Sequence, residues 1–208
     1  MKKIKFIYFD LGGVVVNHIL GLVKAAKMLH LDPNDAISFF LKHAEDLDRG
    51  VLSLADFENS FETHFDIKNR VDKKLGECIV ENFEPIQETH DLIYKLSRDF
   101  SIGILSNISV DVFYYIKKNG LIPDISYDST VISAELKVVK PEKAIFDIAL
   151  SKAAVSPAEI LFIDDIQENI EAAVSFGWNG ILFDTNNPQK SIQLVEAKIE
   201  LENSRTHI

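Results

Sequence analysis

The stretch Ile4-Lys5-Phe6-Ile7-Tyr8-Phe9-Asp10-Leu11-Gly12-Gly13 decides the architecture. Ile4 to Phe9 is rich in β-branched and aromatic residues, the pattern of a strand buried on both faces in a parallel sheet. The run stops at Asp10, and Leu11-Gly12-Gly13 cannot easily continue it. A carboxylate therefore stands at the carboxyl end of a central strand. Met1-Lys2-Lys3 gives this segment a brief likeness to a signal peptide, but its apolar run is too short for one. No stretch approaches the roughly 20 apolar residues of a membrane span, so the cytoplasm is the expected location.

From about His18 to Glu84 the pattern changes to helical spacing. Leu20, Val23 and Met28 form one apolar series, and Ile37, Phe40, Leu41 and Ala44 another. Ser53-Leu54-Ala55-Asp56 is a helix-start signal ahead of Phe57 and Phe61. Strand signals are scarce here, which predicts a separate helical bundle. After Pro85, helices and strands alternate. Helices are expected over 90–98, 110–118, 141–153, 168–176 and 188–202, and strands over 101–105, 160–163 and 180–183. This alternation implies an α/β fold: a Rossmann-like parallel sheet with helices on both faces, plus a small all-helical cap. The core domain is expected to span 1–17 and 85–208, and the cap 18–84.

In such sheets ligands sit outside the carboxyl ends of the strands. Asp10 ends the first strand, Ser106-Asn107 follows the strand over 101–105, and Asp164-Asp165 follows the strand over 160–163. Lys140 precedes Pro141 at a helix start. Carboxylates, a hydroxyl and a lysine at one edge make a set suited to metal and phosphate chemistry.

Charge sharpens this reading. The 208-residue chain carries a formal net charge of −10, which disfavours nucleic acid and anionic membranes as partners. It also repels an anionic substrate, so a phosphate site must carry its own local positive charge. With 47% hydrophobic residues the chain can bury a sizeable core. Its single cysteine, Cys78, cannot form an internal disulfide and reads as a buried or inert thiol.

Four segments resemble the motifs of the haloacid dehalogenase superfamily in order and separation: Phe9-Asp10-Leu11-Gly12-Gly13-Val14, Leu105-Ser106-Asn107, Lys140-Pro141 and Phe162-Ile163-Asp164-Asp165. The helical insert resembles that family's small cap, and Asp48-Arg49-Gly50 looks like a feature of caps in its sugar-phosphatase-like branch. The resemblance implies an Mg²⁺-dependent phosphatase acting on a small phosphorylated metabolite. Asp10 would be the nucleophile that forms an aspartyl-phosphate. Ser106, Asn107 and Lys140 would bind the phosphoryl group, with Ser106 and Lys140 also serving catalysis. The metal would be held by Asp10, the Gly12 backbone carbonyl, Asp165 and Asp164, a hard-oxygen set suited to Mg²⁺.

One position departs from the family's phosphatases, which usually carry an acid–base aspartate two residues after the nucleophile. Here that residue is Gly12. Losing a general acid typically costs roughly 10²–10⁴-fold in rate. The cost shrinks for esters with good leaving groups, so the substrates expected are sugar 1-phosphates, acyl phosphates or aryl phosphates. His18 follows closely and could stand in for the missing acid, although a surface position is the plainer reading. Arg49 could reach substrate or simply close a helix. Asn169 could hydrogen-bond the acidic loop or lie on a helix surface. Two other functions fit the same residues: a hydrolytic haloacid dehalogenase, which also lacks the second aspartate, and a non-catalytic binding protein with a degenerate site.

Overall fold

The computed structural model describes residues 4–68 and 73–204. The first strand, β1 (Phe6–Phe9), leads through the Gly12-Gly13 turn to a two-residue strand, β2 (Val16–Asn17). Four helices follow: α1 (His18–Met28), α2 (Pro33–Asp48), α3 (Leu54–His64) and α4 (Leu75–Val80). The chain returns through β3 (Glu84–Pro85), which pairs antiparallel with β2. Both strands joining the helical stretch to the sheet thus lie side by side.

The remainder alternates as the sequence predicts: α5 (Gln87–Leu96), β4 (Ser101–Ser106), α6 (Val110–Lys118), β5 (Ser129–Ile132), α7 (Ser133–Leu136), α8 (Lys143–Ala153), β6 (Ile160–Asp164), α9 (Gln167–Ser175), β7 (Asn179–Leu182) and α10 (Pro188–Ser204). The five long strands make one parallel sheet in the order β5-β4-β1-β6-β7. The chain lays strands to one side of β1 and then crosses to the other. This reversal opens a crevice at the carboxyl end of β1, where ligands bind in open α/β sheets.

The two-residue period of β1 assigns its side chains to opposite faces. Ile7 and Phe9 pack with Ile104, Leu161 and Ile163 in a core that continues under α5 and α10 and into the helical stretch. Phe6 and Tyr8 pack with Leu105, Val131, Phe162 and Trp178 against α8 and α9. The Tyr8 hydroxyl donates to the carbonyl of Ala149 at 2.8 Å and lies 2.8 Å from Ser129 Oγ. Gly103 makes room for that ring, since a Cβ there would lie 2.5 Å from Tyr8 Cε1.

The helical stretch has local causes as well. Asp32 caps α2 by accepting from Asn34 N and Asp35 N, with Pro33 in the first turn. Ser53 Oγ accepts from Asp56 N to cap α3, as Ser53-Leu54-Ala55-Asp56 predicts. Phe39 meets the rings of Phe57, Phe61 and Phe65, so the recurrent phenylalanines form an aromatic core between α2 and α3.

Several elements differ from the sequence reading, the short helix α7 among them. Strand β5 carries no strong signal, because Ser129-Thr130-Val131-Ile132 is a short edge segment, half of it polar. The β2–β3 pair is too short to show a period. Pro141 precedes α8 instead of lying within it, and the Lys140–Pro141 peptide is cis.

Candidate active site

Asp10 follows β1, Ser106 ends β4, and Asp164 ends β6. Parallel register brings these three strand ends together, and the segment before α8 brings Lys140 to them. All four side chains are buried. Lys140 Nζ donates to Asp164 Oδ2 at 2.6 Å and stands 3.0 Å from Asp10 Oδ1. The second contact is ionic but lacks hydrogen-bond geometry, so Asp10 Oδ1 is buried without a hydrogen-bond partner.

Asp164 is held from several sides. Its Oδ1 accepts from Ile166 N at 2.8 Å, and Asn169 Nδ2 lies 3.1 Å from each of its oxygens. Asn169 is therefore a buried residue of the acidic loop, not a surface asparagine. Asn107 has a comparable holding role. Its Nδ2 donates to the Lys140 carbonyl at 3.0 Å and its Oδ1 accepts from Lys140 N at 2.8 Å. Both ends of the Asn107 amide thus fix the backbone of the lysine.

Asp165 is the less constrained carboxylate. It lies against Gly13, whose φ of +77° already favours glycine, and a Cβ at Gly13 would fall 2.0 Å from Asp165 Oδ2. A side chain at residue 13 would therefore displace the Asp165 carboxylate. Burial, then the charges of Asp10 and Asp164, push the Asp165 carboxyl up to about 7. Burial also raises Asp10, against the opposing pull of Lys140. Lys140 loses stability as a cation by burial, yet Asp10 and Asp164 more than offset this and hold it charged.

Asp10, Asp164 and Asp165 each offer an oxygen within 4.8 Å of the others. Three carboxylates face one ammonium, which leaves an excess of negative charge in a buried place. An Asp10 oxygen without a hydrogen bond, hard oxygen donors and uncompensated charge fit a small divalent cation such as Mg²⁺.

The helical stretch closes over this floor and encloses a cavity of about 300 Å³. Asp10, Gly12, Ser106, Asn107, Lys140, Asp165 and Asn169 border it. So do His18 and Asp48 from the helical side, and neither is exposed. His18 Nδ1 would lie 3.0 Å from a Cβ on Gly12, and it is buried without a hydrogen-bond partner. The ring occupies the space that a side chain at residue 12 would use. Burial lowers its basicity and so favours the neutral ring. The Asp48 carboxyl is pushed up to about 7 by burial and then by the charge of Asp10. The sequence offers His18 by its closeness to Asp10, and Asp48 only within the cap-like Asp48-Arg49-Gly50; packing brings both to the cavity, His18 at a helix start and Asp48 at a helix end.

Arg49 is turned away from the cavity. It pairs with Glu45 one turn back at 2.9 Å and with Glu142 of the sheet domain at 2.6 Å. Beside it, Ser133 Oγ donates to the Asp48 carbonyl and Lys137 Nζ to the Gly50 carbonyl, both at 2.5 Å. The end of α2 is thereby fastened to α7. Cys78 is buried and its thiol is raised by burial, consistent with an inert role.

Known proteins share this fold. A family model described as haloacid dehalogenase-like hydrolase matches residues 4–177. An uncharacterised protein of Saccharomyces cerevisiae is 32% identical in an alignment 103 residues long that covers 42% of this chain and 33% of that protein, so the match spans only a third of its length. A HAD family enzyme of Bacteroides thetaiotaomicron, solved in complex with magnesium and inorganic phosphate, is 23% identical with a TM-score of 0.66, over 88% of this chain and 95% of that one. The L-2-haloacid dehalogenase of Xanthobacter autotrophicus, solved with chloropropionic acid covalently bound, is 16% identical with a TM-score of 0.65, over 86% of this chain and 77% of that one. At these identities the two structures establish a shared fold.

Proposed function

Because this chain belongs to the haloacid dehalogenase-like hydrolases, we propose that it is an Mg²⁺-dependent phosphate monoester hydrolase acting on a small phosphorylated metabolite. One observation carries this reading. A buried carboxylate, Asp10, faces a cavity with an oxygen that makes an ion pair to buried Lys140 but no hydrogen bond, beside the acidic pair Asp164-Asp165. The helices of 18–84 act as a cap over this site.

In the proposed reaction an Asp10 oxygen attacks phosphorus, the ester P–O bond breaks, and an aspartyl-phosphate forms as the leaving group departs as an alkoxide or phenoxide that takes its proton from water. Lys140 and Ser106 hold the phosphoryl oxygens, and Asn107 keeps Lys140 in place. Asp10, Asp164, Asp165 and the Gly12 carbonyl are the groups that would hold Mg²⁺. The ion, when bound, offsets the repulsion between an anionic nucleophile and an anionic ester. Water then releases inorganic phosphate and restores Asp10. His18 supports a substitute for the absent carboxylate at residue 12, because its free Nδ1 fills that space. It would hydrogen-bond the bridging oxygen as the alcohol departs.

A screen of phosphorylated metabolites with Mg²⁺, run beside Asp10→Asn as the blank, tests the proposal. Phosphate release that EDTA abolishes is the expected result. The dehalogenase reading draws on Gly12 and on the Xanthobacter relative. It gains if haloacids are turned over in EDTA while phosphate esters are not. Capture of beryllofluoride at Asp10 separates a competent nucleophile from a degenerate site.

A further inference from the structure

We infer that the alcohol half of the substrate is an aromatic hydrocarbon, so that the ester hydrolysed is a phenol-derived phosphate of one or two rings. The inference rests on the phosphatase reading and deepens it. It follows from what borders the cavity above the floor. Among the described residues of the cap that line it, only His18 and Asp48 carry polar side chains, and both face the floor: His18 over Gly12, Asp48 toward Asp10 and Lys140. The rest of the cap's lining is hydrocarbon, including Leu22, Phe40, Phe57, Ile79 and Phe83. The sheet domain adds Ile108, Val112 and Ile116 on the facing side. The two nearby polar groups on that side are already engaged. Ser109 Oγ accepts from Val112 N, and the Asn107 amide is bonded to Lys140.

A sugar placed here would bury its hydroxyls without partners, and an unpaired buried polar group is penalised. An aromatic ring meets the opposite situation, since three phenylalanine rings offer it apolar contact. The cavity of about 300 Å³ sits at the small end of the range for ligand sites. It suits one or two rings better than a long chain. Gly12 points the same way for an unrelated reason. A phenol, with a pKa near 10, leaves with little help from an acid, whereas an alkyl alcohol needs a proton. The wall and the floor thus select the aryl member of the ester classes that Gly12 favours.

The test uses the full chain with Mg²⁺ and compares phenyl phosphate, 1-naphthyl phosphate, glucose 1-phosphate and acetyl phosphate. Acetyl phosphate has an activated leaving group too small to reach the wall, so it reports the phosphoryl chemistry alone. The expected result is a kcat/KM for the aryl esters about 100-fold above glucose 1-phosphate. Competition by phosphonates needs no turnover and isolates the wall. 1-Naphthylphosphonate should compete at least about tenfold better than methylphosphonate. Phe40→Gln should lower the ratio of phenyl to acetyl phosphate turnover by about tenfold. Turnover of acetyl phosphate with hexose and aryl esters equal, or with the two phosphonates equal, overturns the inference and leaves the phosphatase reading standing. No phosphate release from any ester, acetyl phosphate included, overturns both.

Discussion

The floor and the roof of the cavity obey different rules. The floor is built from strand ends: Asp10 beyond β1, Ser106 on β4, Asp164 on β6, with Lys140 between them, all buried and most bonded to one another. The roof is built from helices whose inward faces are hydrocarbon and make few directed contacts. Charges cannot be buried singly, so the floor must be specified group by group. An apolar wall tolerates exchange of one hydrocarbon for another of similar volume. The contrast separates a fixed chemistry from an adjustable choice of substrate.

The largest effect expected from breaking the floor is at Asp10. Asp10→Asn removes the proposed nucleophile and should lower phosphate release by about 10⁴-fold or more, measured as single-turnover release with retained folding by circular dichroism. An intact rate would remove Asp10 from the chemistry. Gly13→Ala comes next. The new methyl falls on the Asp165 carboxylate, and the backbone there has φ of +77°. Mg²⁺ affinity, read by calorimetry, should drop about 10–100-fold, while roof variants such as Phe40→Gln should leave it within about twofold.

His18 tests where floor and roof meet. His18→Asn should slow alkyl esters by about tenfold and aryl esters less, so a plot of rate against leaving-group pKa should steepen. An equal loss on all esters would make the histidine a structural residue. Gly12→Asp alone should gain little for poor leaving groups, because its Cβ would lie 3.0 Å from the His18 ring. Combined with His18→Ala it should gain more.

The smallest effect is in pH. A carboxyl raised from 3.8 to about 7 favours the folded chain fully below its ordinary value, and that contribution is lost as pH rises through 7. The metal-free protein should therefore lose Tm between pH 6.5 and 8. On the proposed reading Mg²⁺ would bind the deprotonated form, so its stabilising shift should be larger at pH 8 than at pH 6.5. Asp165→Asn should flatten both trends. A Tm shift by Mg²⁺ that is independent of pH in the unsubstituted chain would remove Asp165 from the metal site.

By itself the sequence determined the alternation of strands and helices, the helical insertion, and the four segments that meet at one sheet edge. These features are local or periodic. A buried strand announces itself by an apolar run, an amphipathic helix by its spacing, and a carboxylate at a strand's end by its position. It also showed that residue 12 lacks a side chain. Only the tertiary structure decided what fills the gap. His18 reaches Gly12 because the chain doubles back from β2 into α1, Asp48 because α2 is fastened at its end to α7, and Asn169 because α9 starts beneath the Asp164 loop. Strand β5 became legible only as a partner of β4. In each case the deciding contact joins segments brought together by packing, and contacts of that kind leave no period in a linear chain.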